Sequence, residues 1–347
     1  MRSLIESFFL RAWQKRGLIA CLLWPCSKLF QLIVTFRFGL FVLGYKQQTR
    51  LDVPVVVVGN IFIGGTGKTP LVIWLVQQLR AAGWHPGVIS RGYAAEAESV
   101  VAVTAGSAAA VVGDEPLLIA QRSACPVIVG RNRVAAAQRL LAEHPDVDVI
   151  IADDGLQHYA LARDVELVLF DQRGAGNGWM LPAGPLREPV QRRRDFTVFN
   201  VGQDAAATTA FGVPGDAVRM QLQAADIYAL ADETQRRSLA TIGEERLCAA
   251  AGIGNPQRFF SMLSAMGLRF DAMPLPDHYA FTSATFAAVD ATCILITEKD
   301  AVKCRQIAAL LNDARIWVVP VEAQLDAGFA AALIQMISEK KHGRTPA

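Results

Sequence analysis

The chain has 347 residues, 52% of them hydrophobic, with 34 Lys+Arg against 32 Asp+Glu and a formal net charge of +2. This excludes a mostly disordered chain, and the near-balance of charge gives no global electrostatic case for a nucleic-acid partner. The length suits two domains, or one large α/β domain with an appendage. Six scattered cysteines with no CxxC pair indicate neither a zinc ribbon nor a disulfide framework, and fit a reducing compartment.

Charge is unevenly spread. Residues 1–50 carry eight basic groups and one acid, Glu6, so a basic, apolar head precedes a mildly acidic body. The head, GLIACLLWPCSKLFQLIVTFRFGLFVLGYK, is broken by Pro25, Lys28 and Arg37. Its charge-free pieces are shorter than the roughly 20 apolar residues of a spanning helix. No small-residue cleavage site follows a compact apolar core, so a secretory signal does not fit. Ser27, Lys28, Gln31 and Thr35 fall on one helix face, with Leu, Ile and Phe filling the rest. That pattern predicts a helix lying in the headgroup region with its cations near anionic lipid. A buried helix pair and a single span are the alternatives.

The run Val53–Val58 predicts a fully buried strand. The loop Ile63-Gly64-Gly65-Thr66-Gly67-Lys68-Thr69 follows, then a helix with Pro70 in its first turn. Strand, glycine loop, Gly-Lys-Thr and helix is the phosphate-loop order. Main-chain amides and a helix N-terminus wrap phosphate oxygens, Lys68 reaches the β- and γ-phosphates, and the Thr69 hydroxyl suits Mg²⁺. The strict pattern has glycine where this chain has Phe62, so the loop is expected to be shaped differently.

Further on, Val147–Ala152 predicts another buried strand with Asp153 and Asp154 at its C-terminal end, the edge where open α/β sheets bind ligands. One carboxylate can hold Mg²⁺ and the other contact the nucleophile or a second ion. A turn with a helix cap is the plainer explanation of Asp-Asp-Gly. Strands and helices keep alternating to about residue 320, which predicts a mostly parallel sheet flanked by helices. The Gly-, Pro- and Arg-rich stretch 174–195 is long enough to be functional. Arg192-Arg193-Arg194 reads as a solvated or lipid-facing patch. The Ala-rich stretch 204–210 reads as a surface connection. The domain expectation is a helical membrane-association head at 1–50, a nucleotide core at 51–205 and a smaller C-terminal α/β lobe at 206–347.

The motifs GNIFIGGTGKTP, SRGY, GDEP, GRNR, ADDGLQH, LPAGPLREP, GIGNPQRF, PDHYAF and TEKDAVK occur in this order. This set closely resembles the tetraacyldisaccharide 4′-kinases of lipid A biosynthesis, over nearly the whole chain. The resemblance implies a kinase using ATP and Mg²⁺ at the cytoplasmic face of a bacterial inner membrane, attached peripherally or by a single span. It would phosphorylate the 4′-hydroxyl of a tetraacylated glucosamine disaccharide 1-phosphate, giving lipid IVA. No obligate protein partner and no nucleic acid is expected. The resemblance also implies a carboxylate–histidine proton acceptor, Asp114 with His278, acting beside Lys68. Read alone, Asp114 is equally a helix N-cap and His278 a loop histidine. Tyr93, Arg131, Arg133, Gln157, His158, Arg187 and Glu188 are the expected substrate contacts. TEKD has a distant likeness to a base-reading loop and is as readily a strand-end turn. The rival of a different class is a membrane-associated phosphate-loop ATPase working as a switch or partitioning module.

Overall fold

The computed structural model describes residues 12–92, 100–202, 210–242 and 245–342. Tyr93 and most of the Ala-rich stretch lie outside the described residues. Within the described part of the head, a long helix, α1 (Leu18–Val42), runs through Pro25 without a break. Eight strands follow: β1 (Val55–Gly59), β2 (Pro86–Ser90), β3 (Val101–Val103), β4 (Val127–Val129), β5 (Val149–Asp153), β6 (Val165–Asp171), β7 (Phe196–Asn200) and β8 (Val218–Ala224). Then come β9 (Ile227–Ala229), β10 (Arg236–Arg237), β11 (Leu247–Ala251), β12 (Asp271–Pro274), β13 (Cys293–Thr297), β14 (Ile316–Val319) and β15 (Val321–Leu325). The helices that matter for the site are α2 (Lys68–Ala81), α3 (Asp114–Ser123), α4 (Arg133–Glu143), α5 (Pro256–Ala265), α6 (Glu298–Cys304) and α7 (Phe329–His342).

The larger sheet has the order β15-β8-β7-β6-β1-β5-β2-β4-β3. Its seven inner strands are parallel and its two edge strands, β15 and β3, antiparallel. The predicted apolar runs appear as β1 and β5, each shifted by one or two residues. Strand alternation divides their valines between two apolar layers. Val56 and Val58 pack with α2, α3 and α7 on one face, while Val55 and Val57 face α4 and the long loop on the other. Because β1, β2, β5 and β6 are parallel, their C-terminal ends share one edge, which carries Asn60, Ser90, Asp153, Asp154 and Asp171.

The second sheet, β10-β9-β14-β13-β11-β12, supports the GIGN, PDHY and TEKD segments. The chain then returns. β15 pairs with β8 at the edge of the larger sheet, and Phe329 on α7 stacks on Trp74 of α2 with ring centroids 5.7 Å apart. The larger sheet therefore takes two strands from residues beyond 205.

Helix α1 rests on this body along a narrow strip. Ala20 and Ser27 are buried, and Phe30 and Val34 pack against the second core layer. Ser27, grouped in sequence on one face with Lys28, Gln31 and Thr35, is buried against the body, and its Oγ donates to the Met180 carbonyl at 2.8 Å. A small hydroxyl fits a close helix–loop contact where a larger side chain would hold the helix off. Leu18, Leu22, Leu29, Leu32, Ile33 and Phe36 stay exposed. The helix is long and apolar enough to cross a membrane by length and composition, and only 11% of its most apolar window is buried, so it is not a core helix.

Ending the chain at residue 320 removes β15 and α7, exposing β8 and the Trp74 face of α2. We expect loss of the cooperative thermal transition and rapid proteolysis within the phosphate-loop half, measured by circular dichroism and limited trypsin digestion.

Candidate active site

β1 leaves the sheet at Gly59 and the chain loops back into α2 through the glycine segment. Phe62 is fully buried, bridges Leu186 of the long loop, and carries the Arg173 guanidinium over its ring at 4.3 Å. This explains the missing glycine: the loop's first half is anchored by a core aromatic and by the Ile63 amide donating to Pro185 O at 3.0 Å. Asn60 closes the loop from within, its Nδ2 donating to Phe62 O at 2.6 Å and Gly64 O at 3.0 Å. Gly67 sits at φ 101°, and a Cβ there would lie 2.8 Å from Asn200 Nδ2, so the position requires glycine.

Lys68 Nζ donates to Asn60 Oδ1 at 3.0 Å and pairs with Asp154 Oδ1 at 3.5 Å. Arg187, from the long loop, pairs with the same Asp154 oxygen at 3.2 Å and donates to Asn60 Oδ1 at 2.6 Å. Burial pushes the Asp154 carboxyl up, but Lys68 and Arg187 overcome it and hold it at about 2. Its neighbour behaves oppositely. Asp153 is buried, takes one hydrogen bond from Ser90 Oγ at 3.0 Å, and its Oδ1 is buried with no partner. Burial first, with Glu115 and Asp154 adding repulsion, pushes it up to about 6. One Asp is thus a fixed anion and the other an under-satisfied one.

The second lobe completes the site. His278 Nδ1 lies 3.0 Å from Asp114 Oδ2, joining residues 164 positions apart. Asp114 opens α3 after Gly113, and its two oxygens are divided: Oδ1 accepts from the Glu115 amide at 2.9 Å and Oδ2 faces the histidine. Burial raises its pKa, but the His278 bond and the Lys299 and Lys303 charges leave it lowered overall. His278 adopts φ 55°, an uncommon backbone for a non-glycine residue. TEKD is the β13–α6 junction: Thr297 caps Asp300 N, the Asp300 carboxylate accepts from Gly252 N at 2.8 Å, and Lys299 pairs with Glu115 at 2.9 Å. Glu298 pairs with Arg122 of α3. TEKD thus braces the lobes against each other.

One cleft of about 430 Å³ joins these parts. Its wall includes Gly64 to Thr69, Asp153, Asp154, Arg187, Asp114 and His278. Arg131 and Arg133 stand outside that wall: Arg131 is exposed, and Arg133 is buried with Nη1 on Gly130 O at 2.6 Å. Burial brings Arg133 down to about 10, and Asp153 and Asp154 are near enough to oppose that shift. Gln157, His158 and Glu188 form an adjoining cluster beneath α1. Gln157 Nε2 donates to Glu188 Oε1 at 2.6 Å, and Arg37 of α1 reaches Gln157 O at 3.4 Å. His158 Nε2 is buried without a partner, and burial with the Arg133, Arg163 and Arg37 charges lowers its pKa to about 4. Of the arginine run expected to be a solvated or lipid-facing patch, only Arg193 is exposed: Arg192 pairs with Glu166 and Glu188, and Arg194 covers the Phe170 ring. Asn60, Ser90, Asp171, Arg173, Asn200 and Arg258 belong to the site and escaped the sequence reading. Asp171 ends a strand just as Asp153 does, so the same rule would have found it.

A parallel sheet that delivers a glycine loop, a lysine and strand-end carboxylates to one edge defines a nucleotide-binding phosphate-loop class. The family model for Tetraacyldisaccharide-1-P 4'-kinase matches residues 19–338. A tetraacyldisaccharide 4'-kinase of Janthinobacterium sp. (strain Marseille) is 57% identical, covering 99% of this chain and 98% of that protein. Another, of Azoarcus sp. (strain BH72), is 47% identical over 96% of each. The crystal structure of the "apo" form of LpxK from Aquifex aeolicus in complex with ATP aligns with TM-score 0.77 and 26% identity, covering 93% of this chain and 99% of that one. The chain belongs to the tetraacyldisaccharide-1-P 4'-kinase family. It is therefore an enzyme, a kinase of lipid A biosynthesis.

Because the Asp153 pKa is raised, its ionisation destabilises the fold as pH rises from about 4 to about 6, and the penalty persists above that. Asp153→Asn should therefore stabilise the ligand-free protein at pH 7.5 by on the order of 1–3 kcal/mol, lose that advantage below pH 4, and lose activity. Thermal melts at the two pH values check the sign.

Proposed function

We propose that this chain transfers the γ-phosphoryl group of ATP to the 4′-hydroxyl of a tetraacylated glucosamine disaccharide 1-phosphate, giving lipid IVA, at the cytoplasmic face of the inner membrane. The observation that carries this reading is the opening of the Asp114–His278 pair and of the Lys68 loop into one cleft. A switch ATPase has no need of such a pair, and that alternative is not favoured.

Phosphoryl transfer is mostly positioning and charge neutralisation. Main-chain amides from Gly64 to Thr69 hold the phosphates, with Lys68 and Arg187 neutralising them. A carboxylate on Nδ1 fixes the tautomer of His278 and makes Nε2 its basic atom. His278 Nε2 then accepts the sugar hydroxyl proton while Asp114 stabilises the imidazolium. The orphaned Asp153 Oδ1 suits Mg²⁺. Among the described residues no three His, Cys, Asp or Glu side chains form a metal cage; the ion of this reading would be held by one or two carboxylates and the phosphates themselves. Thr69, Asp153 and Asp154 are its ligand set in this reading, and it would neutralise the phosphate charge when bound. Gln157, His158, Glu188, Arg131, Arg133 and Tyr93 are the disaccharide contacts in this reading. The first three adjoin α1, whose exposed apolar face suits the acyl layer of a membrane. The larger sheet, completed by β8, β15 and α7 from beyond residue 205, acts as nucleotide core, and residues 227–319 around the second sheet act as closing lobe.

Incubation with ATP, Mg²⁺ and the disaccharide lipid should convert monophosphate to bisphosphate on thin-layer chromatography, and Lys68→Ala should show none; near-normal turnover of that variant would remove the loop assignment. Asp114→Ala and His278→Ala should each lower kcat about 10²–10⁴-fold, and the double variant should be little worse than either, since paired groups are not additive. Full multiplication of the two losses would show that they act separately. Leu29→Ser with Leu32→Ser and Phe36→Ser should abolish flotation with neutral vesicles, while neutralising Lys15, Lys28 and Lys46 should weaken only binding to anionic ones.

A further inference from the structure

Beside the glycine loop, two guanidinium groups share one carboxylate. Asp171 is almost fully buried at the end of β6. Arg173 takes its Oδ1 through Nε at 3.0 Å and its Oδ2 through Nη2 at 2.7 Å. The same Arg173 Nη2 reaches Gly65 O of the loop at 2.9 Å, and its guanidinium lies on Phe62. Arg173 is thereby engaged through Nε and Nη2, and Asp171 is already neutralised by it. Arg258, on the first turn of α5 in the smaller lobe, adds a second guanidinium, whose one side-chain hydrogen bond among the described residues runs from Nη2 to Asp171 Oδ2 at 2.7 Å. Asp171 is its only carboxylate partner among the described residues. Two arginines on one carboxylate leave a full positive charge over, and Arg258 lines the cleft that holds the glycine loop. Its approach is fixed by the backbone: a Cβ on Gly254, just before α5, would lie 3.4 Å from Gly65 N. A surplus, partly desolvated cation at that position has no structural use that Arg173 does not already serve, and guanidinium is the side chain best matched to a phosphate edge.

We propose that Arg258 is a phosphate-binding residue of the triphosphate site, contributed by the smaller lobe. On nucleotide binding its guanidinium takes a phosphate oxygen, and Arg173 keeps Asp171 neutralised as it does so. The inference rests on the reading of the glycine loop as a triphosphate site. It adds that the nucleotide draws the two lobes together through its own charge, so the loop and the Asp114–His278 pair are brought into register by the substrate.

The test uses inorganic tripolyphosphate, which has neither base nor sugar, as competitor for a fluorescent ATP analogue on the full chain. Arg258→Gln keeps a hydrogen-bond donor for Asp171 and loses the charge; Arg258→Lys keeps the charge. Tripolyphosphate should bind the unaltered chain, fail to bind Lys68→Ala, and bind Arg258→Gln about 10- to 100-fold more weakly, the range for one charged hydrogen bond. Arg258→Lys should recover a substantial part of that loss. Unchanged affinity in Arg258→Gln, or equal losses in the Gln and Lys variants, would overturn the inference while leaving the loop reading intact. An unaltered chain with no affinity for tripolyphosphate would remove the loop reading and this inference with it.

Discussion

The site turns on one crowded electrostatic junction at the end of β1. Lys68 and Arg187, reaching in from opposite directions in sequence, both point at Asp154 and at the single amide oxygen of Asn60. Two cations confronting one carboxylate repel each other unless an anion joins them. The ligand-free arrangement is thus held together by an amide dipole and one acid, a weaker partner than a triphosphate. Asn60 is fully buried with its side-chain oxygen accepting and its nitrogen donating, so the neutral amide is satisfied on both sides where a carboxylate would have faced the Phe62 and Gly64 carbonyls.

The same logic recurs at Asp171, where two arginines share one acid, and is inverted at Lys299, where one cation bridges Glu115 and Asp277 across the lobes. Acids and cations are mixed at both ends of the cleft, with Lys299 and Lys303 beside Asp114 and with Asp153 and Asp154 beside Lys68. Stability and activity are expected to oppose each other at Asp153, a buried carboxylate whose second oxygen has no protein partner.

The long loop after β6 joins this chemistry to the head. Residues Trp179 to Arg187 contact α1, bridge Phe62 and deliver Arg187 in one continuous stretch. In the proposed reading, the contact with α1 and the side chain placed for phosphate are therefore a few residues apart on the same segment. The exposed apolar face of α1 stands next to the Gln157–Glu188 cluster through Arg37 and Tyr159. Arg37, which interrupts the apolar run in sequence, is directed toward that cluster rather than away from the protein.

Much of this was legible in the residues. The valine run, the glycine spacing and the strand-end Asp-Asp pair fix local structure and chemistry together, because each depends on neighbours within a few positions. The ordered motifs carried the likeness to a family, and with it the expectation of Asp114 beside His278. What no local pattern could show was partnership over distance: which acid each arginine faces, that Phe62 is anchored by the long loop, that Ser27 turns inward, and that Arg192 is paired rather than solvated. β15, beyond the last strand read from the sequence, is revealed by the folded chain, which also decides which sheet it completes. Spacing along the chain sets helices, strands and turns through short-range sterics, whereas pairing of charges and edges is settled by which elements the parallel sheet brings to the same end.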